Sequence, residues 1–223
     1  MNSTTSMVRL WQLISPALPI GSFSYSQSLE YAIESGWLKT EADVQQWLTQ
    51  QLHYSVARLD LAVITRQMSA WQENNLTTVK SWNQQLLAFR ETAELYDEDC
   101  QVGYALCRLL TDLEIDGAAH WQKKKVSYVT MYALVCDRWQ IKVEDALAGF
   151  VWAWCENLVA AAVKLLPMGQ TAGQKMLLAL GDEIEKACVQ AQQLDDEELG
   201  STLPGLAMAS ALHETQYSRL FRS

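Results

Sequence analysis

From Val143 to Leu166 the chain is apolar around most of a helical cylinder, and no other stretch restricts the fold as strongly. On a helical wheel Leu147, Phe150, Val151, Trp154, Leu158, Val159, Leu165 and Leu166 cover a wide arc. Only a narrow stripe remains, made of Ala153, Glu156, Asn157, Ala160 and Lys164. Such a helix must be wrapped, either by other helices or by lipid. The portion from Ala146 to Leu166 is long enough to raise the question of a membrane span, but Glu156, Asn157 and Lys164 interrupt it. A charged residue at the centre of a span costs about 2.5–3.5 kcal/mol on insertion scales. The core helix of a bundle is the better reading, and no membrane association is expected.

The remainder of the chain supplies the wrapping. Four prolines and ten glycines in 223 residues are too few turns for an all-β fold. Met7 to Ile14 predicts a short helix, closed by a stiff loop, Ser15–Ser22, that holds Pro16 and Pro19. From about Ser24 to Ser35 a helix is expected with Tyr25, Leu29, Ala32 and Ile33 on one face. Gln27, Glu30 and Glu34 lie opposite, and Gly36 is placed to end it. Thr40 and Asp43 form a capping-box pattern ahead of Val44, Trp47, Leu48 and Leu52. Further helices are expected over Leu59–Trp71, over Leu76–Leu110 with a break near Arg90, and over Lys124–Trp139. Residues 170–193 and Pro204–His213 complete the set, separated by the acidic loop Asp195–Glu198. Pro167 and Gly169 end the central helix, and residues 214–223 form a tail. The expected architecture is one all-α domain over residues 1–223, a helical bundle around a central apolar helix.

Charge and cysteine usage exclude several classes. With 26 acidic against 17 basic residues the formal charge is −9, whereas a nucleic-acid binder concentrates lysine and arginine on one face. The one basic run, Lys123-Lys124-Lys125 beside Trp121, reads as a solvated helix start rather than a phosphate clamp. Cys100, Cys107, Cys136, Cys155 and Cys188 are odd in number and not closely paired, unlike a disulfide scaffold. Met1 to Arg9 lacks the apolar stretch of a signal peptide. A cytoplasmic protein with reduced thiols is expected.

No catalytic constellation stands out. The sequence contains no GxxxxGK[ST], no GxGxxG and no GxSxG. His53, His120 and His213 are far apart, and no CxxC or HxxxH occurs. His213-Glu214 starts like a zinc helix, but Tyr217 stands where its second ligand would be. No metal, cofactor or catalytic residue is expected. Two features suggest contacts instead. Glu156 and Lys164, two turns apart on the polar stripe, are either paired within the fold or facing a wet groove, a tunnel or a partner. The tail Tyr217–Ser223 combines aromatic rings with arginines, residue types frequent in interfaces, and docks either on its own body or on another chain.

Four ordered segments resemble motifs of the UreF family of urease accessory proteins. Ser15-Pro16-Ala17-Leu18-Pro19-Ile20-Gly21-Ser22-Phe23-Ser24-Tyr25-Ser26-Gln27-Ser28-Leu29-Glu30 is similar to the family's opening motif. Arg90-Glu91-Thr92-Ala93-Glu94-Leu95 resembles its central signature. Trp154–Asn157 with Val163–Gln170 is similar to the motif of the long core helix, and His213–Ser223 to the C-terminus. Departures are small: Ser28 stands where the motif has glycine, and Cys155 replaces a leucine. The resemblance implies an all-α homodimer that binds the UreD/UreH accessory protein, recruits the GTPase UreG and helps deliver nickel to apo-urease, with no enzyme activity of its own. It further points to Tyr217, Arg219, Leu220, Phe221 and Arg222 as partner contacts. Glu156 and Lys164 become candidates for a polar path or for coupling to the GTPase. Arg90 is expected to form a structural ion pair with Glu94, one turn away. A GTPase-activating role, with Arg219, Arg222 or Arg90 supplied in trans, and a generic helical interaction domain are the alternatives.

Overall fold

Every regular element among the described residues is helical. The computed structural model describes residues 3–201 and 203–223; Met1, Asn2 and Thr202, part of the expected 1–223 domain, lie outside the described residues. The helices are α1 (Ser3–Leu13), α2 (Leu29–Glu34), α3 (Glu41–Gln51), α4 (Ala62–Gln72), α5 (Leu76–Ala88) and α6 (Ala93–Asp112). After them come α7 (Tyr128–Arg138), α8 (Val143–Leu165), α9 (Gln170–Gln193) and α10 (Pro204–His213). The all-α expectation holds.

Helix α8 is the apolar segment. Glu144 and Asp145 in its first turn and Lys164 in its last complement the helix dipole. Its largest packing partner is α9, and α1, α2 and α4 also lie against it. The burial is not complete, however. Although α8 is long and apolar enough to cross a membrane, 56% of its most apolar window is buried within the fold. Trp152 is 38% exposed, and Ala160 and Lys164 face outward. Ala160 and Lys164, at the C-terminal end of the polar stripe, therefore mark an open flank of the bundle.

Local chemistry sets most boundaries. Thr40 and Asp43 form the anticipated reciprocal capping box at the start of α3. Asn75, Thr92 and Ser127 cap α5, α6 and α7 through their side chains. The expected break near Arg90 separates α5 from α6. Several boundaries differ: α1 starts at Ser3 rather than Met7, α2 at Leu29 rather than Ser24, and α7 at Tyr128 rather than Lys124. The sequence suggests two helices over residues 40–71, yet α3 runs into α4 through a π-helical stretch, Leu52–Leu61. No proline or glycine interrupts residues 40–71, so the backbone stays wound, and the wider turns absorb the lapse in apolar spacing. That stretch faces α9 and buries Ser55 and Asp60 beside apolar residues.

Candidate functional site

Two polar clusters meet at the C-terminus. The first is internal and centres on Arg90. The expected pair with Glu94 is not formed, because Arg90 lies in the break before α6, where helical i,i+4 spacing does not apply. Instead its Nη2 reaches Asp60 Oδ1 at 2.6 Å and its Nε reaches Asp99 Oδ2 at 2.9 Å. Asp99 Oδ1 also accepts from Ser127 Oγ and from the Tyr128 amide, each at 2.8 Å. One arginine thereby ties the π-helical stretch to α6 and, through Asp99, to the start of α7. Burial pushes the Asp60 carboxyl above its ordinary range, with Arg90 opposing. Burial alone would lower the guanidinium, but Asp60 and Asp99 together raise it. So placed, Arg90 cannot extend into a partner without leaving two carboxylates uncompensated.

Beside this triad lies a cavity of about 130 Å³, lined by Gln27, Ser55, Asp60, Arg90, Glu98, Trp154 and Asn157 among others. Trp154 Nε1 donates to Gln27 Oε1 at 2.8 Å, and Gln27 Nε2 donates to Glu98 Oε1 at 2.8 Å. Asn157 Nδ2 donates to the Tyr25 carbonyl at 3.1 Å. Burial pushes the Glu98 carboxyl up to about 7, although hydrogen bonds from Gln27 and Ser223 pull the other way. A carboxyl so placed changes charge near neutral pH.

The second cluster is the docked tail. Glu30, on α2, accepts from the Leu220 amide at 2.6 Å and from the Phe221 amide at 2.9 Å. The Arg222 amide donates to the Ser24 carbonyl at 2.8 Å. Ser26 donates through its amide and its hydroxyl to the Ser223 carbonyl oxygen, at 2.8 and 2.6 Å. Ser223 Oγ donates to Glu98 Oε2 at 2.7 Å, so the last residue closes onto the cavity wall. His213, fully buried, lies between Glu94 (Nδ1 to Oε2, 2.7 Å) and Glu30 (Nε2 to Oε2, 3.3 Å). Arg219 completes the arrangement on Glu94 Oε1 at 2.5 Å.

The expected tail contacts divide accordingly. Phe221 is only 6% exposed and belongs to the chain's own core, because the Glu30 carboxylate draws its backbone down. Arg219 is committed to Glu94. Tyr217, at 105%, and Leu220, at 64%, point outward. Arg222 is exposed, and its guanidinium reaches Gln101 Oε1 at 3.5 Å. Lys164 and Glu156 are not paired with each other. Lys164 Nζ sits 5.6 Å from the Phe221 ring centroid, which joins the polar stripe of α8 to the tail. Burial raises the Glu156 carboxyl.

Several members escape a reading of the sequence alone. Glu30 falls on the polar side of its expected helix yet is 5% exposed, because the returning tail covers it. Asp60 does leave a trace, as an acid set among Leu59, Leu61 and Ala62. Glu98 leaves none, since its surroundings come from Gln27 and Ser223, both distant in sequence.

The chain is similar to known proteins over nearly its whole length. The family profile described as UreF matches residues 38–181. A urease accessory protein UreF of Alkalilimnicola ehrlichii is 52% identical over 216 residues, covering 96% of this chain and 95% of that protein. Another from Teredinibacter turnerae is 50% identical, covering 97% and 98% respectively. A third, from Hahella chejuensis, is 45% identical with 98% of each chain covered.

Proposed function

The chain belongs to the UreF family of urease accessory proteins, and from that premise we propose that it is a non-catalytic adaptor in loading nickel into urease. In this reading it scaffolds the UreD/UreH accessory protein and recruits the GTPase UreG, acting as a cytoplasmic homodimer. Nickel is cargo of the assembly and not a resident cofactor of this chain. The observation that carries the reading is the tail strapped across α2 and α6. Its backbone is fixed by Glu30, Ser24 and Ser26, while the side chains of Tyr217, Leu220 and Arg222 are left outward. A terminus held so rigidly loses little entropy on binding, and its exposed aromatic, aliphatic and guanidinium groups suit a partner interface. Lys164, on the open flank of α8 beside Phe221, extends that surface, and with Glu156, two turns earlier on the same helix, forms the polar path or GTPase-coupling face.

The test separates anchoring from recognition. Tyr217→Ala with Leu220→Ala should leave thermal stability unchanged and weaken co-purification with UreD/UreH or UreG. Deleting residues 214–223 should abolish it. If both variants assemble as well as the unaltered chain, the tail is not the docking surface. A catalytic contribution in trans to the GTPase is the second reading, favoured by Arg222 having no carboxylate within ion-pair distance among the described residues. Single-turnover GTP hydrolysis by UreG, with unaltered chain and with Arg222→Ala, decides it. An unchanged rate on adding the unaltered chain eliminates that reading.

A further inference from the structure

Away from the tail, the basic run Lys123–Lys125 is not the start of a helix, because α7 begins only at Tyr128. Lys124 and Lys125 form instead one wall of a groove of about 640 Å³, whose other wall is α5 with Lys80 and Gln84. Asn83 fixes the loop from below: its Nδ2 donates to the Lys125 carbonyl at 3.2 Å, and its Oδ1 accepts from the Ser127 amide at 2.9 Å. Lys80, Lys124 and Lys125 line the groove, all exposed. None of them is within ion-pair distance of a carboxylate among the described residues. The contacts of two of them are with neutral groups instead. Lys125 Nζ lies 4.9 Å from the Tyr96 ring centroid, and Lys124 Nζ is 2.6 Å from His120 Nε2.

We propose that this groove docks an acidic, carboxylate-bearing segment of a protein partner. Its charge is opposite to that of the rest of the molecule, which concentrates an acidic ligand there and disfavours it elsewhere. The cations are separate lysines from two elements, which suits several carboxylates along an extended segment better than one phosphate. A phosphate site would want arginine forks or free amides at a helix N-terminus, and the start of α7 is already capped by Asp99 and Ser127. The proposal stands apart from the nickel-loading role, because binding is read directly on the full-length chain.

A built-in reporter makes it testable. Partial desolvation, then Lys124 and Lys80, lower the His120 imidazole below its ordinary range. A carboxylate ligand neutralises those lysines and must raise it. The experiment titrates full-length chain with fluorescein-labelled octaglutamate by anisotropy, with octaserine and inorganic tripolyphosphate as comparators. The His120 ring proton is followed by NMR, with only His53 and His213 to distinguish from it. Octaglutamate should bind in a salt-sensitive manner and move the His120 midpoint upward. Lys80→Glu/Lys124→Glu/Lys125→Glu should weaken binding about tenfold or more. Lys39→Glu/Lys142→Glu/Lys175→Glu, with the same change in net charge elsewhere, should weaken it much less. Equal losses in the two triple variants, or an unmoved His120, would overturn the proposal. Tighter binding of tripolyphosphate at the same lysines would overturn it in favour of a phosphate ligand.

Discussion

Ser28 takes a φ of +70°, and Gln27 before it +49°, so two side-chain-bearing residues in succession adopt the left-handed conformation. Glycine tolerates that backbone without steric cost, which is the physical reason for the glycine in the resembling motif. The Ser28 hydroxyl is also buried without a hydrogen-bond partner among the described residues. Ser28→Gly should therefore stabilise the fold by about 1 kcal/mol, read from the midpoint of urea unfolding. Arg90 carries the opposite expectation. Arg90→Met leaves Asp60 and Asp99 facing each other without a cation and should cost about 3–5 kcal/mol at pH 7. Glu94→Gln should not reproduce that loss, since Glu94 serves His213 and Arg219. Thermal melts of both variants at one pH test the partner assignment. Glu98 predicts a pH dependence. Its folded carboxyl titrates near 7 against an ordinary 4.5, so between those values the folded chain holds a proton that the unfolded chain has released. Its contribution to stability thus declines as pH rises from 4.5 and levels off above 7. Glu98→Gln should flatten that decline and raise stability at pH 8 by roughly 3 kcal/mol. A mutant curve parallel to the unaltered one would contradict the assignment.

At the scale of elements, the helices with strong punctuation are legible in the sequence itself. The α3 capping box, the bounds of α9 and α10 and the break at Arg90 follow from caps, prolines and apolar spacing. Places where distant segments decide are not legible in that way. The expected helix from Ser24 shrinks to Leu29–Glu34 because the returning tail pairs with the backbone at Ser24 and Ser26. The π-helical stretch looks like a break in the sequence because periodicity alone does not register wider turns. Contact between α6 and the loop before α7 gives a sharp test. A Cβ at Gly103 would lie 2.2 Å from the Val126 carbonyl oxygen and 2.7 Å from the Tyr128 amide nitrogen, both backbone atoms. Gly103→Ala should destabilise by about 3 kcal/mol or more. Gly181→Ala, in α9 where a Cβ meets nothing within 4 Å, should instead gain about 1 kcal/mol from helix propensity. Denaturant titration of the pair distinguishes close packing from a general intolerance to change.

Over the whole molecule, the bundle presents three surfaces built by different means: a strapped tail, the open flank of α8 and a lysine-lined groove. The candidate site is half legible in the sequence. Tyr217, Leu220 and Arg222 stand outward, and Lys164 adjoins the Phe221 ring. Phe221 turns inward, and Glu30, His213 and Glu98, which hold the strap, give no sign of that role because their partners are far away in the chain. Membership of the UreF family, with a bundle built to present surfaces, makes assembly of the urease maturation machinery the central claim for this chain. The most direct measurement is the nickel content of urease co-expressed with its other accessory proteins, with and without this chain. Nickel-poor, inactive urease is expected when the chain is omitted, and recovery of metal and activity when it is restored. Urease that fills with nickel and activates equally well without it would contradict the claim.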